Sequence, residues 1–310
     1  MPAPPYPGPL PLARPMARLQ DWIWLSKRHR RQIGTWPNPW RPRGFNDWIY
    51  RRLLVAPEPL HALLSCKLGQ RAYKAERIGE AASLPLLGVW DTAEALARAW
   101  DTLPAAFMLK PTHASSWFRA VPDKAAADRP AILAEAAGWL RRSYYRASRE
   151  IGYRDLVPRL IAEPLLPPAP GFAAPWEYSL FCFDGRPALL HSRVYAAGGR
   201  KLVGFLDMTR RALPVRRRVG RQDPAPEPPG DAAWARIRAW AIPLSRGVDF
   251  LRVDFLVDGD AVWAGEVTPY PAGGRQNLEP AAWDGWLGAV WHATRQGLPW
   301  PDPPAGARPP

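Results

Sequence analysis

The chain has 310 residues, 47% of them hydrophobic, with two cysteines, Cys66 and Cys182, and a formal net charge of +14. That apolar fraction supplies a core and argues against disorder, while two cysteines without spaced partners exclude a zinc ligand set or a disulfide framework and fit a reducing, cytoplasmic compartment. The positive surplus predicts an anionic partner, and charge by itself does not choose between nucleotide, phosphorylated sugar, acidic polymer, nucleic acid and membrane surface.

In chain order, MPAPPYPGPLPLARP is a proline-rich start without the apolar centre of a secretory signal, and no apolar run is long enough to cross a bilayer. Asp21 to Arg31 and Phe45 to Val55 read as short helices separated by Pro37, Pro39 and Pro42, and a longer helix is expected over Leu60 to Ala81. Within the first helix, Trp22-Ile23-Trp24-Leu25 is followed by Lys27, Arg28, Arg30 and Arg31. An amphipathic helix turning its tryptophans inward is the ordinary explanation, and transient contact with an anionic membrane surface is the alternative. Leu84 to Trp90 is an apolar run, Asp91 to Ala99 a helix capped by Asp91 or Thr92, and Ala106 to Lys110 a short buried strand. Asp128 caps a helix whose Ile132, Ala136, Trp139 and Leu140 share a face, with Pro130 in its first turn. Leu156 to Leu166 reads as a strand ending at Pro167-Pro168.

Trp176 to Phe183 and Arg186 to Val194, joined at Asp184-Gly185, form a hairpin. Arg210, Arg211, Arg216, Arg217, Arg218 and Arg221 then populate a loop, read either as a solvated insert or as a docking surface for an acidic acceptor. Asp231 is expected to cap a helix with Trp234, Ile237, Trp240, Ala241 and Leu244 on one face. It leads into Leu251 to Val257 and Ala261 to Val267, a second hairpin around Asp258-Gly259-Asp260. Helices alternating with antiparallel hairpins predict an α+β fold.

This second hairpin carries Asp254 and Glu266. Strand side chains alternate, so a two-residue turn at Asp258-Gly259 pairs Asp254 with Trp263 and sends Glu266 to the other face, whereas a three-residue loop or one bulge brings the acids together. Two carboxylates on an apolar hairpin are costly without a cation, which favours the second register and a metal or arginine partner. Solvated strand ends, or pairing with Arg252, are the plainer alternatives. Lysine is scarce in this arginine-rich chain, so Lys67 and Lys110 stand out as point charges, Lys110 at the end of an apolar strand. No histidine spacing suits a metal, no GxGxxG loop or Ser-His-Asp arrangement is present, and basic and aromatic residues are not interleaved as in nucleic-acid modules, which disfavours nucleic acid as a partner.

Seven segments in order, PWRPRGFNDWI, CKLGQRAYKAERIG, LPLLGVWDTAEAL, FMLKPTHASSW, RLIAEPLL, WEYSLFCFDGRPALL and RVD…GEVTPYPAGG, resemble the TupA-like branch of the ATP-grasp family, associated with cell-surface polysaccharide biosynthesis. The resemblance implies an α+β ATP-grasp fold in which two subdomains hold ATP between them. With the proline-rich ends read from composition as tails over 1–20 and 301–310, it divides the chain into a helical region over 21–105, a first subdomain over 106–166 and a second over 172–300. It further implies that Lys67, Lys110, His113 and Ser115 contact phosphates and that Glu163 lies near the nucleotide. Asp254, Glu266 and the second-rank Thr268 would bind Mg²⁺, with Arg252 reaching phosphate as the catalytic arginine. The activity implied is ATP-dependent carboxylate–amine ligation on an acidic sugar or polysaccharide acceptor. A glycosyltransferase-like protein and a catalytically degenerate polymer binder are the alternatives. The family's N-H-G-S-G loop reads Thr112-His113-Ala114-Ser115-Ser116 here, without either glycine, Cys66 replaces an aspartate, and Ser179 replaces a lysine.

Overall fold

The computed structural model describes residues 15–217 and 227–304, with side chains described from residue 19. The start of the proline-rich segment, Arg218, Arg221 and residues 305–310 lie outside the described residues. Contacts divide the chain into two compact units, one containing Pro59–Leu166 and the other joining the chain before residue 59 to the chain from Pro167 onward.

In the first unit, the helix expected over Leu60 to Ala81 is two helices, α3 (Pro59–Ser65) and α4 (Lys67–Ile78), followed by a short 3₁₀ turn. Cys66 between them is extended, and the Lys67 amide donates to the Thr112 carbonyl at 3.0 Å instead of continuing a helical ladder. The partner is distant in sequence, so the apolar periodicity runs through the break without marking it. Beyond β1 (Gly88–Trp90), Thr92 caps α5 (Ala93–Ala99), its hydroxyl accepting from the Ala95 amide at 3.1 Å. β2 (Phe107–Pro111), β3 (Arg119–Val121) and β4 (Leu160–Pro164) join β1 in a four-stranded antiparallel sheet of order β1-β4-β2-β3. The strand expected from Leu156 to Leu166 is therefore shorter, consistent with Pro158 and Pro167, which cannot donate to a ladder. Asp128 caps α6 (Arg129–Leu140) by accepting from Ala131 at 2.9 Å, and Ile132, Ala136 and Trp139 pack with Trp100, Phe107, Leu109 and Leu160 in the core. α7 (Tyr144–Ser148) completes the unit's helices.

The second unit opens with α1 (Pro15–Ile33) and α2 (Phe45–Leu54). Its sheet has five antiparallel strands in the order β10-β9-β5-β6-β7, formed by β5 (Trp176–Phe183), β6 (Arg186–Tyr195), β7 (Lys201–Leu206), β9 (Leu251–Asp258) and β10 (Ala261–Thr268). Asp184 and Gly185 both have positive φ, 46° and 75°, as the tight turn of the β5–β6 hairpin requires. A small pair, β8 (Arg216–Arg217) with β11 (Leu278–Glu279), is hydrogen-bonded as a separate sheet, with β8 packed beside β7. α8 (Asp231–Ser245) packs against β5, β6, β9 and β10. Its N-cap is Gly230 rather than Asp231, whose carboxylate instead pairs with Arg210 at 2.5 Å, and Trp240 is only half-buried.

No element is expected past the acidic hairpin, yet α9 (Ala282–Gln296) forms there and packs on α2. Trp283, Leu287, Val290 and Trp291 are its buried stripe, a helical spacing that the sequence does carry. The crossing depends on Gly288, where an added Cβ would lie 2.6 Å from the Gly44 backbone. Phe45, Phe181, Phe183, Phe250 and Trp291 interlock beneath it with ring centroids 4.7–6.0 Å apart. Among them, Arg52 lies 4.5 Å over Trp291 and pairs with Asp249, which is held down to about pH 2: burial works against ionisation, but Arg52, Trp291 and Arg295 outweigh it.

Candidate functional site

The acidic hairpin takes the register with one bulge. Gly259 and Asp260 form its two-residue turn, so Ala261 pairs with Asp258 and Ala264 with Phe255; a shift then follows, and Val267 pairs with Val253 and Thr268 with Arg252. The extra residue in β10 restores Glu266 to the face that carries Arg252, Asp254 and Thr268. Gly265 lies in the bulge, where a Cβ would approach the Asp254 carbonyl to 3.1 Å. Asp254 is 4% exposed and is grasped by Arg252, whose Nε and second terminal nitrogen donate to its two oxygens at 2.7 and 2.5 Å. The same guanidinium reaches the Thr268 hydroxyl at 3.4 Å. The pairing of Asp254 with Arg252, one of the plainer alternatives, therefore coexists with the convergence of the two acids on one face.

Ser179, noted in the sequence only as a departure from the family pattern, shares that face with Glu177, His191, Arg193, Tyr195 and Lys201, none of which was singled out from the sequence. Ser179 pairs with Asp254 across β5–β9 and with His191 across β5–β6, which puts the cross-strand ion pair Glu177–Arg193 on the same side two residues along. Tyr195 pairs with Lys201, so the edge-strand lysine also belongs to this face. Burial first, then repulsion by Arg193, Arg217 and Arg252, brings Lys201 down to about 7, Asp254 opposing weakly. Arg193 and Arg217 are likewise lowered, by burial and then chiefly by the other arginines. Fully buried His191 is pushed far below its usual range by burial and by Arg252, Arg217 and Lys201, so it is neutral. An anion at this face would relieve the repulsion among its cations.

Among the described residues, Arg210, Arg216 and Arg217 of the 210–221 run do not form one free patch. Arg210 holds Asp231, Arg216 pairs with Glu279 at 2.9 Å, and Arg217 is half-buried with a buried Nε that has no hydrogen-bond partner among the described residues.

In the first unit, β2 and β4 run side by side with Lys110 opposite Ile161 and Met108 opposite Glu163, which sets Lys110 and Glu163 diagonally on one face. The Lys110 ammonium donates to Glu163 at 2.7 Å, and Arg71 stands 3.9 Å from the same carboxyl. Burial raises the Glu163 pKa, but Lys110, Lys74 and Arg71 together prevail and leave it below the usual carboxylate range. Lys67, Arg71 and Lys74 fall at i, i+4 and i+7 of α4, one helical face; only Lys67 drew attention in the sequence, and that spacing is the signal for the other two. The Lys67 ammonium donates to the Ala114 carbonyl at 2.7 Å, tying α4 to the loop after β2.

In that loop His113 is buried, with Nε2 at 3.2 and 3.1 Å from the Trp139 and Arg142 carbonyls, and burial lowers its pKa first of all. It anchors the end of α6, with Trp117 edge-on at 6.0 Å. Ser115 is half-buried. Ser116, at the place of the second glycine in the family pattern, has φ +62°, the left-handed region that glycine enters freely and serine does not. The loop thus retains a glycine's backbone shape without the glycine.

A family model described as TupA-like ATP-grasp matches residues 49–292. The chain belongs to that family, and its fold is the α+β ATP-grasp fold. No curated protein matches the sequence. Among solved structures, it is similar to D-alanine–D-alanine ligase from Bacillus anthracis (13% identity, 76% of this chain and 68% of that one, TM-score 0.45). It is also similar to D-cycloserine synthetase DcsG (15% identity, 88% and 81%, TM-score 0.44). A third is the ATP-grasp ligase PsnB complexed with a minimal precursor, Mg and ADP (14% identity, 77% and 60%, TM-score 0.39).

Whether this TupA-like chain suits a magnesium ion is decided by its donor set. No group of three or more His, Cys, Asp or Glu side chains is placed to hold a metal among the described residues, which excludes an all-protein cage there. Mg²⁺ is held by one or two carboxylates with the balance from phosphate oxygens and water, and a pair on one face can supply that share. A carboxylate offers about four lone-pair sites, so Asp254 retains acceptor capacity while Arg252 orients it. Asp254 and Glu266 fit the ion, with Thr268 beside them.

Proposed function

We propose that this TupA-like protein binds Mg-ATP and ligates a carboxylate to an amine through an acyl phosphate. The observation that carries it is the bulge in β10, which gathers Glu266, Asp254, Arg252 and Thr268 on a sheet face rich in mutually repelling cations. The carboxylate oxygen of the acceptor attacks the γ-phosphorus, the bond to the β–γ bridging oxygen breaks, and ADP leaves. The amine then attacks the acyl carbon, loses a proton, and inorganic phosphate departs. When bound, the metal would neutralise phosphate charge as it shifts, held by Asp254 and Glu266. Arg252 fixes the Asp254 carboxylate and presents the rest of its guanidinium to phosphate. Lys110 and Lys67 add ammonium groups for the triphosphate, and His113 keeps the Lys67-bound loop in place by anchoring α6. An acidic sugar or polysaccharide is the acceptor class proposed, supported by the cationic face and by the family resemblance.

A second reading, a nucleotide binder that has lost turnover, draws on Ala114 and Ser116 in the phosphate loop and on Ser179 opposite Asp254. Calorimetry with ATP in the presence of Mg²⁺ or EDTA, followed by ADP release against sugar acids and amino acids, separates them. Ligation predicts Mg²⁺-dependent affinity and acceptor-stimulated ADP release, with both reduced at least about tenfold by Asp254→Asn or Glu266→Gln. Affinity without release supports the idle binder, and absence of nucleotide affinity sinks both. Tighter protection by a nucleotide-sugar than by ATP would instead favour sugar transfer.

A further inference from the structure

α1 and the segment that follows it present a surface unlike the rest of the molecule. Four of the nine large hydrophobic side chains exposed among the described residues fall between residues 19 and 40: Leu19 at 57%, Ile23 at 39%, Trp36 at 58% and Trp40 at 61%. Scattered apolar residues are ordinary on a protein surface, but this concentration includes both of the exposed tryptophans in that set. On α1, Leu19, Ile23, Lys27 and Arg30 lie on one stripe at helical spacing, while Leu25, Ser26 and His29 are buried on the other side. The sequence expectation of tryptophans turned inward is met only halfway: Trp22 and Trp24 are half-buried, and Ile23 between them faces out. Trp36 and Trp40 are brought back to the helix by ring contacts, Arg30 lying 5.8 Å over Trp36 and Trp22 standing 6.3 Å from Trp40.

The charge around this apolar stripe has one sign. Residues 15–43 contain Arg18, Lys27, Arg28, Arg30, Arg31, Arg41 and Arg43 against a single acid, Asp21, which is 4% exposed and so withdrawn from the surface. Indole rings favour the boundary between water and acyl chains, and arginine and lysine beside them favour anionic headgroups. We infer that the exposed face of α1, with Trp36 and Trp40, docks the protein on an anionic lipid surface, the rings entering the headgroup boundary and the surrounding arginines engaging the lipid charge. The contact proposed is peripheral, through side chains on one face of a helix; no helix of the described residues is long and apolar enough to cross a bilayer. The proposal is independent of the ligase reading and of any residue in the candidate site.

The test is flotation of the full chain with vesicles of phosphatidylcholine alone and of equimolar phosphatidylcholine and phosphatidylglycerol. Binding is expected to the anionic vesicles and to weaken as salt is raised. Trp36→Ala with Trp40→Ala, which removes exposed rings and leaves the core intact, and separately Arg30→Glu with Arg31→Glu, should each lower the partition at least about tenfold. Arg236→Glu with Arg238→Glu makes the same charge change on the exposed side of α8 and should alter it less than about twofold. Near-ultraviolet circular dichroism and the melting temperature establish that each variant is folded, and Ile23→Ser is the replacement should the tryptophan pair disturb it. Quenching of tryptophan fluorescence by brominated lipid, lost in the Trp36/Trp40 variant, would place the rings in the boundary. No binding to either vesicle overturns the proposal, as does anionic binding that the tryptophan variant retains in full, which would reduce the patch to a charge effect. Self-association abolished by the tryptophan change without lipid binding would assign the face to a second copy instead.

Discussion

The Lys110–Glu163 pair offers the sharpest test, because one contact serves the packing of the first unit and supplies a proposed phosphate ligand. The two side chains are 25% and 16% exposed and 2.7 Å apart. A charge-assisted hydrogen bond of this kind contributes about 1.5–3 kcal/mol, and breaking a fully buried pair costs about 3–5 kcal/mol. Residual exposure and the nearby Arg71 and Lys74 moderate the larger figure, so Lys110→Met should cost about 2 kcal/mol by leaving Glu163 short of its closest cation. Glu163→Gln should cost about 1 kcal/mol, since three cations then face one another without the acid. Combined, the two changes should recover about 1–2 kcal/mol relative to their sum, a double-mutant coupling read from urea midpoints at constant slope. Glu163 has a lowered folded pKa, so its contribution is present above the unfolded carboxyl value and is lost as pH falls through the folded one; the coupling should vanish in acid. Calorimetry must then show Mg-ATP affinity reduced at least about tenfold by Lys110→Met and much less by Glu163→Gln, which releases the lysine rather than removing it. Coupling below about 0.5 kcal/mol at neutral pH, or equal nucleotide loss in both variants, refutes the dual role.

Lys201 gives a prediction of opposite character. Its folded value of about 7 lies below the unfolded value of 10.5, so between those limits the unfolded chain binds more protons and stability rises with pH. Lys201→Met should therefore stabilise the protein near and below pH 7 by on the order of 1 kcal/mol and flatten that slope, while weakening anion binding at pH 6 more than at pH 8. Urea midpoints and pyrophosphate titrations across pH check both, and destabilisation by the methionine would contradict the repulsion. In the loop, Ser116→Gly removes a left-handed serine that costs roughly 1 kcal/mol and adds a comparable unfolded-state entropy, so the melting temperature should barely move while the amide is freer to approach phosphate. Mg-ATP affinity should tighten; a large loss of stability would show that the Ser116 side chain holds the loop.

Local chemistry determined much of this protein from sequence. Asp128 caps the helix it was expected to cap, Thr92 is the cap of the two offered for α5, Asp184-Gly185 turns its hairpin, and the last six of the seven segments fall within the stretch that matches the ATP-grasp family to which the chain belongs. Such features are decided within a few residues, where a hydroxyl meets an amide three positions on or a turn requires positive φ. What depends on distant partners was decided only by tertiary structure. The helix break at Cys66 exists because the Thr112 carbonyl takes the Lys67 amide, and a single bulge at Gly265 settles whether Glu266 faces Asp254 or turns away. The cation face of Arg193, Lys201, Arg217 and Arg252 is spread over four strands, and no spacing in the chain announces it. Strand pairing brings charges separated by dozens of residues within each other's field, and burial then sets their ionisation, two effects that act through space rather than along the sequence.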